Sequence, residues 1–139
     1  MNVGQKIRKY RTQLGLSQKA LADACDMSEP AIRNYELGNR NPGKEQLEKI
    51  ANALGISVFA ISNPDLDSED GVMHALFALE SAYGFRIQKD DLEVGLVCDD
   101  ESMQARLAYW SKMHSKFKDG EITDADYKDW QAAYPDNMK

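Results

Sequence analysis

The sequence predicts a mainly α protein: a head of five short helices over residues 1–62, then a small α+β region with a helix, a β-hairpin and a helical pair. Three observations carry this. Before Ser62, apolar residues recur at three- and four-residue spacing in short blocks, each closed by Gly or a polar loop. From Ser62 to Asp70 the run SNPDLDSED holds Pro64, four acidic residues and no helical periodicity, which marks residues 63–70 as a linker. Beyond it, helical spacing is interrupted by Phe85-Arg86-Ile87 and Glu93 to Cys98, short β-type runs on either side of Lys89-Asp90-Asp91.

The head follows block by block. Val3, Ile7, Tyr10 and Leu14 stripe one helix whose outer face carries Lys6, Arg8 and Lys9, and Gly15 ends it. Ser17 and Ser28, eleven residues apart, are each placed to cap a helix by accepting backbone N–H groups. Two short helices joined by a tight turn therefore lie between Ser17 and Gly38. Leu21 and Cys25 share a face of the first, with Ala22 small enough for a close crossing. In the second, Ile32, Tyr35 and Glu36 face inward, and Glu29, Pro30, Arg33 and Asn34 face outward. After Gly38 comes a polar loop, Asn39 to Gly43, then a helix over about 44–54 with Leu47, Ile50, Ala51 and Leu54 as its buried stripe. Gly55 stops it, and Ile56, Val58, Phe59 and Ile61 make a short fifth helix.

The second part, residues 71–139, opens with a helix over about 69–83. Its apolar residues Val72, Met73, Leu76, Phe77, Leu79 and Tyr83 cover too wide an arc for one neighbour to bury. A hairpin follows. Met103, Leu107, Trp110, Met113 and Phe117 then stripe a helix over about 102–118, and Thr123 caps another in which Ile122 and Tyr127 form a hydrophobic staple. Trp130 and Tyr134 lie on the Tyr127 face, and Pro135 ends the helix, so the last two helices are expected to pack antiparallel.

Charge is divided unevenly over the 139 residues, whose net value is −6. Residues 1–62 hold nine Lys and Arg against six Asp and Glu, or +3, and the rest holds eight against seventeen, or −9. A basic head on an acidic body suits selective binding of a polyanion and disfavours indiscriminate binding. No run approaches the roughly 20 apolar residues that span a bilayer, and no signal-peptide core opens the chain, so a cytoplasmic protein without membrane attachment is expected. Cys25 and Cys98 lack a CxxC or a His at ligand spacing, and His74 and His114 each stand alone. Asp90-Asp91 and Asp99-Asp100-Glu101 lack the spacing of a calcium loop and read as hairpin-turn and helix-start residues. No metal or cofactor is expected. The stripe Trp110, Phe117, Tyr127 and Trp130 reads as core in preference to a ligand pocket, and no nucleophile constellation or phosphate-cradling loop suggests an enzyme.

The N-terminal residues resemble the lambda-repressor-like helix-turn-helix family of Cro and the xenobiotic-response-element regulators, over about residues 3–61. The resemblance is carried by Gln18 after a Ser cap, Leu21-Ala22, Ser28, Ile32, Tyr35, Glu36, Gly38, Arg40, Pro42 and the run Leu47, Ile50, Ala51, Leu54, Gly55. Asp26 departs from it, standing where the family usually has Gly in the turn; Asp tolerates the left-handed conformation better than most residues. The resemblance implies that the second motif helix enters the major groove of double-stranded DNA while the first crosses the phosphates. Gln18, Glu29, Pro30, Arg33 and Asn34 are then the base-reading candidates. Ser17, Asn39, Arg40 and Lys44 are the phosphate-binding candidates. By the same resemblance Arg11 pairs with Glu36 as a strut between the first and third helices.

The function implied is a sequence-specific transcriptional regulator, a repressor that reads a palindromic operator as a homodimer, with Val72, Met73, Leu76, Phe77 and Leu79 as the dimerisation face. The alternative is an antitoxin-type protein that binds a partner toxin and represses its own operon.

Overall fold

The structure is a computed structural model and describes residues 1–136; the last three residues of the expected C-terminal region lie outside the described residues. In chain order the elements are α1 (Val3–Gln13), α2 (Gln18–Ala24), α3 (Glu29–Leu37), α4 (Lys44–Leu54), a 3-10 turn (Val58–Ala60), α5 (Glu69–Tyr83), β1 (Phe85–Lys89), β2 (Val94–Cys98), α6 (Glu101–Lys118) and α7 (Asp124–Ala133). This is the mainly α architecture that the periodicity predicts. The fifth element of the head is a single 3-10 turn, capped by the Ser57 hydroxyl.

Local chemistry sets the helix ends. Asn2 and Gln5 form a reciprocal capping box at the start of α1. Ser17 Oγ accepts the Ala20 N–H at 2.9 Å, and Ser28 Oγ accepts that of Ala31 at 3.3 Å, so both helices of the Ser17–Gly38 stretch begin at their serines. In the turn between them Asp26 adopts φ +55°, the left-handed conformation that the departure from Gly requires.

The chain divides into two compact units, Met1–Ala78 and the residues from Leu79 onward. In the first, Ile7, Leu21, Ile32, Ile50 and Ile61 are completely buried, one from each of the five elements or its flank. The division falls inside α5 and not at residues 63–70, where composition places the linker. The supposed linker is packed onto α5 instead: a Cβ on Gly71 would stand 1.8 Å from the Asp65 carbonyl oxygen, and the ring of His74 stacks on Phe59 at 6.0 Å. Lys6, expected on the outer face of α1, donates to the Ser62 carbonyl at 2.9 Å, and burial pushes its pKa down.

In the second unit β1 and β2 pair antiparallel with Phe85 opposite Cys98 and Ile87 opposite Leu96. Asp90 turns the hairpin by accepting the N–H groups of Leu92 and Glu93, and Asp100 caps α6 by accepting that of Met103. Thr123 and Asp126 form a capping box at the start of α7. Contacts of Arg106 with Tyr134, Trp110 with Tyr127 and Phe117 with Tyr127 show α6 and α7 running antiparallel. Tyr127 is the buried centre of that pair, and His114 packs against its ring and that of Phe117. No described helix is long and apolar enough to cross a membrane. Among the described residues no three metal-ligating side chains gather.

Candidate nucleic-acid interface

The outer face of α3 is the surface that the head presents without covering it. Ile32 and Tyr35 are buried against the other helices, which leaves Pro30 and Arg33 exposed and Glu29 and Asn34 half-buried at the edge of that face. Pro30 lies in the first helical turn, where a missing N–H costs nothing. Arg33 Nη2 approaches Glu29 Oε1 at 3.8 Å with both side chains about half exposed. An exposed pair one helical turn apart contributes only about 0.3–0.5 kcal/mol, so either partner can be drawn onto another ligand. α3 ends in a left-handed Gly38, and the N–H groups of Asn39 and Arg40 turn back onto the Asn34 carbonyl, which starts the exposed Asn39–Gly43 loop beside the helix end. Asn39, Arg40 and Lys44 are all exposed there, and α4 begins at Gly43 without a side-chain cap.

Beneath this face the structure brings Arg11, Glu36 and Gln18 together. Arg11 Nε and Nη2 donate to Glu36 Oε1 and Oε2 at 2.5 and 3.0 Å, a two-point fork, and Nη1 donates to the Leu16 carbonyl at 2.7 Å. The side chains keep only 11% and 3% of their surface exposed, so the pair is held out of water. Burial alone pushes the Glu36 carboxyl up. Hydrogen bonds from Arg11 and Gln18 and the charges of Arg11 and Arg8 outweigh it and hold the carboxyl below its usual range. The bond to Glu36 raises Arg11 further above its ordinary value.

Gln18, expected among the base-reading residues, also joins the strut. Its Nε2 donates one N–H to Glu36 Oε2 at 2.9 Å, which ties the amide to the strut and leaves its second N–H and its oxygen to meet a base. A residue missed by sequence reasoning is Gly4. A Cβ there would stand 2.1 Å from the Tyr35 carbonyl oxygen, so α1 crosses α3 at a distance that only glycine permits. A glycine inside an amphipathic helix, next to its apolar stripe, was the available signal.

Residues 7–61 match the family model described as Helix-turn-helix. The immunity repressor protein of Bacillus phage phi105 is 39% identical over 61 residues, which cover 44% of this chain and 42% of that protein. The control protein C.BamHI of Bacillus amyloliquefaciens is 41% identical over 54 residues, or 38% of this chain and 67% of that protein. Among solved structures, the restriction-modification controller protein C.AhdI of Aeromonas hydrophila is 34% identical, with 42% of this chain and 89% of that chain covered and a TM-score of 0.42. The chain spans about half the length of the curated relatives it matches. The matched residues contain both Ser-capped helices, the strut and the outer face of α3. The chain thus belongs, through its N-terminal unit, to the lambda-repressor-like helix-turn-helix family.

Proposed function

We propose that the chain is a DNA-binding transcriptional regulator, a repressor that reads a palindromic operator as a homodimer. The observation that carries this reading is the outer face of α3, where Glu29, Pro30, Arg33 and Asn34 stand at or near the surface of a helix braced from behind by a buried ion pair. These side chains cover the chemistry of the major groove. Asn pairs bidentately with adenine, Arg with guanine, Glu accepts from cytosine N4, and Pro offers apolar contact to a thymine methyl. Ser17, whose oxygen accepts the Ala20 N–H in the α2 cap, keeps its hydroxyl proton for a phosphate; Asn39, Arg40 and Lys44 extend the same line of donors.

Selecting bound duplexes from a random library with the full chain tests the reading, and two variants divide the contacts into classes. Asn34→Ala is expected to cost about 1–3 kcal/mol on the selected site and to relax preference at one position. An even loss on every sequence would remove Asn34 from the base-reading set. Arg40→Ala is expected to weaken all sequences alike and to lower the salt slope by about one unit. An unchanged slope would take Arg40 off the phosphates.

The homodimer rests on α5. Of its fifteen residues only Gly71 is buried, while Val72, Met73 and Phe77 remain 37%, 46% and 51% exposed, with Leu76 and Leu79 half-buried beside them. A second copy would cover this face and bring two heads to half-sites about 34–36 Å apart. Because a two-fold interface repeats each contact, Phe77→Asp places two charges in one seam. The variant is expected to sediment as a monomer and lose operator affinity with its helical content intact. A wild type already monomeric at concentrations on the order of tens of micromolar would exclude the obligate dimer.

A further inference from the structure

The aromatic stripe of α6 and α7 divides into two parts. Phe117 and Tyr127 stack at 5.2 Å with their planes 5° apart, and Tyr127 is buried, so these rings are core as the spacing predicts. Trp110 departs from that expectation. It remains 50% exposed, although its indole N–H donates to Tyr127 Oη at 2.6 Å and fixes the ring. Tyr83 and Tyr134 are 43% and 38% exposed, and with Trp110 and Trp130 they wall one cleft of about 810 Å³. That volume lies within the range of small-molecule sites, about 300–1,000 Å³.

Arg106 lines the same cleft. Its Nη1 donates to Tyr134 Oη and its guanidinium lies 5.9 Å from the centre of that ring, which leaves most of its N–H fork unused. No carboxylate neutralises it among the described residues, although the chain from Leu79 onward carries thirteen Asp and Glu against eight Lys and Arg. The one carboxylate in the lining, Asp100, is engaged with the Met103 N–H at 2.8 Å as the cap of α6. We propose that this cleft binds a planar aromatic carboxylate, its ring held between the aromatic walls and its carboxylate on the Arg106 fork. Flat, fixed aromatic walls favour a flat ring at little entropic cost. A guanidinium with parallel free N–H groups selects a carboxylate by two-point geometry.

Binding is measured without DNA, so the outcome does not depend on the proposed regulatory function. Calorimetric titration of the full chain compares 2-naphthoate with 2-naphthamide, which keeps the ring and loses the charge, and with cyclohexanecarboxylate, which keeps the charge and loses the flat ring. Saturable binding of 2-naphthoate is expected, with each analogue weaker by about tenfold or more. Arg106→Gln is expected to lose about tenfold for 2-naphthoate and nothing for the amide, with an unchanged circular dichroism spectrum. Absence of saturable 2-naphthoate binding overturns the proposal. So does equal binding of the amide, an Arg106→Gln variant of unchanged affinity, or an affinity that falls as protein concentration rises, which would mean that a second copy fills the cleft.

Discussion

Glu36→Ala is expected to destabilise the N-terminal unit by about 3 kcal/mol or more, lowering its melting temperature by over about 10 °C. The change removes the acceptor of two of the three Arg11 bonds and of the Gln18 amide at one stroke. Arg11 would be left with its charge still largely excluded from water and only the Leu16 carbonyl to meet it. The burial cost of that charge remains when the attraction offsetting it is gone, and for this reason breaking a buried pair costs more than the pair contributes. Glu36→Gln, which keeps hydrogen-bonding capacity without the charge, is expected to fall between the two.

The pair also sets a pH dependence. The Glu36 carboxyl is held below its ordinary value in the folded chain. Its contribution is therefore complete above the unfolded glutamate pKa, about 4.3, and is lost as pH falls further, through the folded value. Acid titration of stability followed by circular dichroism is expected to show a shallower slope for Glu36→Gln than for the wild type in that window. A Glu36→Ala variant that melts normally but no longer binds duplex would make Glu36 a DNA contact and end the strut reading.

Gly4→Ala is the second large effect. Alanine is the better helix former by about 1 kcal/mol, so propensity alone predicts a more stable α1. Packing predicts the opposite. The added methyl would lie 2.1 Å from the Tyr35 carbonyl oxygen and 3.0 Å from that of Glu36, both backbone atoms of α3 that cannot rotate aside. α1 and α3 would have to separate, opening the contacts of Ile7 and Ile32, which are completely buried, and stretching the Arg11–Glu36 fork. A net loss of about 2 kcal/mol or more is expected in urea unfolding, in spite of the gain in propensity. A Gly4→Ala protein more stable than the wild type would show that the two helices do not meet this closely.

What the sequence determined by itself is the set of features governed by neighbours three or four residues away. Ser17, Ser28 and Thr123 cap the helices that their positions predict, and Gly38 ends α3 in the left-handed conformation. Ile32 and Tyr35 face inward, which leaves Arg33 and Pro30 in solvent. Periodicity and capping are local, so a single chain displays them before it folds. The tertiary structure alone decided what depends on atoms distant along the chain. It packed Asp65 against Gly71 and Phe59 against His74, which carries the first compact unit to Ala78 and past the acidic, proline-containing segment that composition marks as a linker. It also engaged the Gln18 amide with Glu36, eighteen residues away, and left half of Trp110 facing a cleft while Tyr127 on the same stripe became core. A stripe at helical spacing states which residues share a face. How much of that face a neighbour covers follows from the distance and angle at which the second helix arrives, and no local pattern encodes these.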